Sequence, residues 1–261
     1  MNVWIWGPPL WRLCHSTSFV AKSENAQPVA DFLSTFPKIL PCIYCRKSFS
    51  HFFSIVNSAY NMSLPDVIRG HQLPRWMYDI HELVNRKLER QTFLNQLGDS
   101  RAQNLRGKRL SYDCLIKRHE VHPVTVSPED IIDILFILSL NYPTEKNEKD
   151  ALDKRKAYGT FLANLPTITC ILTRYGDTML PSSAKPLVTL QSNMGALHTE
   201  HNIRANTPPF KSKDDMFYYV FQLWALFHKL PVRNREKQYI KKLKERYQIV
   251  KASVCEHGSC K

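Results

Sequence analysis

The sequence predicts an all-α protein, and three observations carry that expectation. Apolar residues recur at spacings of three and four along most of the chain, period-two alternation is weak everywhere, and prolines and capping residues stand where helices begin and end. With 261 residues, 43% of them hydrophobic and 23% charged, the chain can bury one large core or two modest ones. Glycine is scarce, 8 against 16 prolines, and no Walker-type or dinucleotide-fold fingerprint occurs, so any cofactor must be held by something other than a Gly-rich turn.

The elements follow in order. Pro8 and Pro9 suit the first turn of a helix, after which Leu10, Trp11, Cys14, His15 and Phe19 form one stripe. A second helix is expected over residues 28–40, with Val29, Phe32, Leu33 and Phe36 as its apolar face. Pro41 ends it. Cys42-Ile43-Tyr44-Cys45 then opens a third helix that carries Phe49, Phe52, Phe53 and Val56. Residues 57–71 are polar and loop-like. A fourth helix starts at Pro74 and runs through Trp76, Ile80, His81, Val84 and Leu88.

Residues 89–110 turn polar and basic and have the composition of a linker. Ser127-Pro128-Glu129-Asp130 has the form of an N-cap, an N1 proline and an acidic first turn, leading into the apolar run that Asn141-Tyr142-Pro143 closes. Further helices are expected over 150–165, 187–197, 214–230 and 233–250, while 167–172 is ambiguous between helix and strand.

Charge and targeting narrow the setting. A net charge of +13 and a pI of about 9.4 suggest acidic partners or nucleic acid without naming either. Most of the excess follows Arg90: ten basic and six acidic residues lie up to that point, against 26 and 17 beyond it. The start, MNVWIWGPPLW, has neither a basic n-region nor a cleavable apolar run, and the longest apolar stretch reaches about ten residues, half a bilayer span. The expectation is a soluble protein without a membrane span that stays where it is made.

In such a compartment paired thiols need a reason. Cys42 and Cys45 form a CxxC at a helix start, where the helix dipole and free amides favour a thiolate, the chemistry of thiol–disulfide exchange. Half of a zinc site is the second reading, its other ligands drawn from Cys255, Cys260, His15, His51 or His81. Cys14, Cys114 and Cys170 are isolated and are expected to be buried core thiols.

Three motifs in register make the thiol reading specific. Trp6-Gly7-x-x-x-Trp11-x-x-x-His15, Pro41-Cys42-x-x-Cys45 with Phe49, and Trp76-x-x-x-x-His81 with Val84 and Asn85 resemble, in order and spacing, the Erv/Alr family of FAD-linked sulfhydryl oxidases. Leu40 replaces the family's aromatic before the proline, and Glu82 its asparagine after the histidine.

The resemblance implies a FAD-binding bundle of four helices plus a short fifth over 1–95. There follow a linker or bridging segment at 96–126, a helical domain of unassigned role at 127–252 and a flexible tail at 253–261. It also implies that FAD is gripped by helices and aromatics rather than glycines, with Trp6, Gly7, Trp11, His15, Trp76, His81, Asn85 and Lys87 as its contacts. Gly7 would allow close approach and Lys87 would meet a phosphate. Electrons would pass from thiol-containing substrate proteins to the Cys42–Cys45 disulfide, to FAD and to dioxygen, giving hydrogen peroxide. Cys42 would be attacked from outside, with Cys45 forming the charge-transfer thiolate against the flavin.

A homodimer is expected on the same ground, and Cys255 with Cys260 would serve as a shuttle disulfide. The long helical extension resembles the enlarged oxidases of large DNA viruses, which places the protein in the cytoplasm of the infected host cell or in the virion, not secreted. The basic helix at 233–250, with Tyr239, Ile240, Leu243, Tyr247 and Val250 on its apolar face, reads first as a solvated charged surface. Non-specific nucleic-acid contact is its minor reading. The competing function is a non-enzymatic zinc- or nucleic-acid-binding protein built on the cysteines and the basic C-terminal region.

Overall fold

The computed structural model describes residues 3–95, 111–121, 123–143, 150–179 and 181–230, and over these the protein is all-α. The helices are α1 (Val3–Val20), α2 (Ala26–Ser34), α3 (Phe36–Ile39), α4 (Ile43–Tyr60), α5 (Leu64–Arg69), α6 (Leu73–Asn95), α7 (Tyr112–Val121), α8 (Pro128–Leu140), α9 (Ala151–Met179), α10 (Pro181–Glu200) and α11 (Lys213–Phe227). The basic helix expected at 233–250 and the tail with Cys255 and Cys260 lie outside the described residues.

Local chemistry explains most starts and stops. Ser127 caps α8 through a reciprocal box: its hydroxyl accepts from the Asp130 amide at 3.1 Å, and the Asp130 carboxylate accepts from the Ser127 amide at 3.0 Å. Ser212 and Asp215 repeat the device at α11. Asn61 closes α4 in the left-handed region, at φ 47°.

Several expectations change, and the helix expected over 28–40 is divided at Thr35 into α2 and α3. The first helix starts at Val3, not at Pro8, so both prolines sit inside it; Trp6, buried in the core, anchors the turn that precedes them. The interruption at 57–71 holds the end of α4 and the whole of α5, whose buried Leu64, Val67 and Ile68 lie on one face behind a Ser63 cap. The fourth helix continues to Asn95, and α7 occupies part of the segment assigned to linker. Finally, α9 runs through Pro166 and the ambiguous 167–172. An internal proline costs a helix about 3 kcal/mol, but here Leu162, Leu165, Ile168 and Leu172 are all buried and hold both sides of it in register.

The lone cysteines divide. Cys14 is buried, and burial pushes its thiol well above the ordinary range, as suits an inert core thiol. Cys114 is exposed and Cys170 only half-buried, because each lies off the apolar stripe of its helix.

One apolar cluster extends from Trp6 on α1 to Leu223 on α11. Helix α1 packs on α6, α8 and α9, and α2 packs on α9, so the early helices share their core with the late ones. Phe161 of α9 stacks on Phe32 of α2 at 4.8 Å. Arg12 of α1 pairs with Asp130 at the start of α8. No helix among the described residues is long and apolar enough to cross a membrane.

Candidate active site

The site is assembled from α1, α4 and α6, with α6 packed against both of the others. Cys42 is the N-cap of α4, with extended backbone at φ −95° and ψ 127°, and its sulfur accepts from the Cys45 amide at 3.4 Å. A negative sulfur at this position is stabilised by the helix N-terminus. Cys45 lies one turn into the helix on the same side. Their exposures differ in the sense opposite to a Cys42 attacked directly from solvent: Cys42 is 7% exposed, while Cys45 is half-buried. Ile43 and Tyr44 between them stand out to solvent, at 54% and 48%.

Across the bundle, α1 and α6 bring Trp11, His15 and His81 together, with His81 lying 66 residues beyond His15. Trp11 stacks on His81 with ring centres 3.8 Å apart and planes 9° from parallel. The Nε2 of His15 and the Nδ1 of His81 share a 2.8 Å hydrogen bond. Burial pulls His15 down to about 4 and His81 to about 3, and the His15 imidazole further disfavours a positive charge on His81. His119 of α7 adds to the effect on His15. Both rings are therefore neutral at pH 7. The remaining ring nitrogen of His15, Nδ1, is buried with no hydrogen-bond partner, a condition native interiors rarely tolerate without a reason.

The other expected residues take several places. Trp76 is fully buried; its indole N–H donates to Asn57 at 2.9 Å and its ring meets Phe53 edge-on at 5.3 Å. Lys87 reaches from α6 to the Ser48 hydroxyl on α4, at 2.6 Å. Asn85 follows His81 by one turn and is half-buried. Glu82 is engaged with Arg86 on the surface of α6, at 3.0 Å. Gly7 is buried in α1. Trp6 departs from the group: it lines a small apolar cavity with Leu10, Leu40, Pro41, Ile137 and Phe161, between the early and late helices, and its indole N–H is buried without a partner.

Sequence reasoning missed four members of these surroundings. Asn57 and Ser48 are polar residues of α4 with no motif to mark them. Phe19 and His119 stack at 3.6 Å, where α7 lies against α1 beside His15, and the pair is separated by 100 residues. The strap after α7 is fixed by the Ser16 hydroxyl, which donates to the Val124 carbonyl at 2.5 Å. Among the described residues no three His, Cys, Asp or Glu side chains gather where they could hold a metal ion. Cys255 and Cys260 are outside that comparison, being outside the described residues.

Comparison with known proteins bears on the same region. Residues 8–103 match the model of the Erv1 / Alr family. Over 94 residues the chain is 34% identical to the mitochondrial FAD-linked sulfhydryl oxidase ERV1 of Saccharomyces cerevisiae. That alignment covers 33% of this chain and 44% of the yeast protein, so the chain spans less than half the length of the relative it matches. No solved structure matches.

Proposed function

We propose, on the premise that residues 8–103 form an Erv1/Alr family domain, that this chain is a FAD-dependent thiol oxidase that makes disulfide bonds in substrate proteins through Cys42 and Cys45. The observation that carries the reading is the Cys42 cap of α4 on the same bundle as a neutral, aromatic-faced imidazole pair.

The residues present suit FAD. Its rings are flat and largely apolar with polar edges, and Trp11 and His81 offer flat faces. The orphaned Nδ1 of His15 is the kind of buried polar atom a heterocycle edge satisfies. Trp11, His15, His81 and Asn85 would line the cofactor, Trp76 would contribute ring surface only, its N–H being engaged by Asn57, and Lys87 would reach a phosphate. When bound, FAD supplies a two-electron acceptor whose reduced form is reoxidised by dioxygen, with release of hydrogen peroxide.

The protein's own step is disulfide exchange. A substrate thiolate attacks the Cys42 sulfur of the Cys42–Cys45 disulfide, the bond between the two cysteines breaks, and the electron pair leaves on Cys45 as a thiolate. A second substrate thiolate then displaces Cys42, so the substrate loses two electrons and two protons and the protein holds a dithiol. Cys45 is the cofactor-side thiol in this assignment, and the N-terminus of α4 steadies the charge that each exchange places on Cys42. Cys255 and Cys260 would relay electrons from bulky substrates. Truncation after Val254 then abolishes activity on protein thiols and spares activity on a small dithiol.

Colour provides the decisive test. The purified chain is expected to be yellow, with flavin absorbance near ~450 nm that bleaches on anaerobic addition of dithiothreitol. A colourless protein carrying stoichiometric zinc would overturn the reading in favour of a metal-binding module.

A further inference from the structure

We propose that Tyr158, together with Arg46, latches the 39–42 turn closed, so that a thiol gains access to Cys42 only when this latch opens. The inference rests on the assignment of Cys42 and Cys45 as the redox pair, and it is built on the burial of Cys42 beside two exposed neighbours. Exchange requires a sulfur nucleophile to approach Cys42 in line with the bond it breaks. At 7% exposure that approach is covered, although the surface on either side of it is open.

The turn is held from two directions. Tyr158 is buried on α9, and its hydroxyl lies 3.4 Å from the Ile39 carbonyl and 3.2 Å from that of Leu138 on α8, one donor bridging the turn to the late helices. Arg46, one turn into α4, donates to the next carbonyl of the same turn, that of Leu40, at 2.7 Å. Leu40 and Pro41 line the same apolar seam as Ile137 and Phe161. Phe161, on the same face of α9 as Tyr158, meets Phe36 at the head of α3 at 6.1 Å. Both Tyr158 and Phe161 lie beyond the residues that match the family, so this hold on the cysteine turn comes from the extension.

Its strength is that of a pair of hydrogen bonds, one buried and one partly buried. Removing one leaves a buried carbonyl unsatisfied and raises the population of the open turn by about threefold or more. Tyr158 and Arg46 are thus positioning residues.

The test uses the full chain, reduced anaerobically, and follows iodoacetamide alkylation by mass spectrometry at each cysteine. Rates are taken on the high-pH plateau, where ionisation no longer contributes. The wild-type Cys42 rate is the reference. Tyr158→Phe raises the Cys42 rate at least about threefold and leaves Cys45 and Cys14 unchanged. Arg46→Gln acts in the same direction and decides the matter if Tyr158→Phe does not fold. Tyr219→Phe, which removes a buried hydroxyl from the far helices, leaves Cys42 unchanged. Unaltered Cys42 rates in the Tyr158 and Arg46 variants overturn the latch, as does a Cys42 rise matched at core Cys14, which reports general loosening. Flavin absorbance of the same wild-type preparation reads the proposed function separately: its absence sinks the oxidase and leaves the alkylation result standing.

Discussion

Two clusters of histidine and aromatic rings, one in each half of the molecule, show opposite treatment of buried polar atoms. In the late helices His198 shares a 2.9 Å hydrogen bond with the Tyr219 hydroxyl, His201 meets Gln222 at 2.7 Å, and Gln222 donates onward to Glu200. Arg155, buried nearby, donates to the Phe210 carbonyl and the Tyr142 hydroxyl. In the early helices Trp11, His15 and His81 stack and pair, yet Trp6 Nε1, His15 Nδ1 and Thr17 Oγ1 are buried with no hydrogen-bond partner. Among the described residues the only other such side-chain atom is the amide nitrogen of Asn193. A network that closes on itself stabilises a core, whereas polar groups left open on one helix mark a surface shaped for something else.

Mutations tell the two clusters apart. Cys45→Ser should lower dithiol-driven flavin bleaching by roughly 10³-fold or more in stopped flow, since no residue of the late cluster can take over a thiol's task. Wild-type turnover in that variant would remove the chemical half of the contrast.

Phe161→Ala should destabilise the protein by about 3–5 kcal/mol and do so in one cooperative transition, because its ring is shared by α2, α3 and α9. Two separate calorimetric transitions would mean that the halves fold independently.

Matched substitutions test the clusters directly. His198→Phe breaks a closed pair and is expected to cost about 1–2 kcal/mol while flavin content stays normal. His15→Phe removes an orphaned atom but also breaks the pair with His81, so it should cost about as much as His198→Phe, while flavin retention after gel filtration falls severalfold. Equal flavin retention in the two variants would erase the distinction.

The smallest effect is in pH. His15, His81 and His198 have folded-state values of about 4, 3 and 4, below the unfolded value of 6.5, so their stabilising contribution is complete above pH 6.5. Below it the unfolded chain binds protons that the folded one refuses. Stability therefore falls as pH drops from 6.5 towards 4, with a limiting slope near 1.4 kcal/mol per pH unit for each histidine. Urea titrations between pH 7 and 4 should show this slope, and His198→Phe should reduce it as much as His15→Phe does.

Much of the fold was legible because its signals are local. The CxxC at a helix start, the Ser127 cap and the buried stripe of Val29, Phe32, Leu33 and Phe36 each depend on residues within two or three turns of one another. Short α5 and the continuation of α9 past Pro166 were not legible in this way. Both are held by neighbours whose contribution outweighs weak local preference. The site divides along the same line. The family resemblance of their motifs implied that Trp11, His15 and His81 belong together, while the direction of Trp6 did not follow from its motif, since one step around α1 turns it towards the late helices.

By itself, then, the sequence determined the helical class, the position of Cys42 at a helix N-terminus and the residue types that meet across α1 and α6. Only the tertiary structure decided that α9 supports the turn before Cys42, that Cys42 is covered while Ile43 and Tyr44 are not, and that unsatisfied polar atoms gather on α1. The reason is physical: periodicity and capping act over a few residues, whereas a hydroxyl at position 158 and a carbonyl at position 39 are related only by which apolar faces find each other.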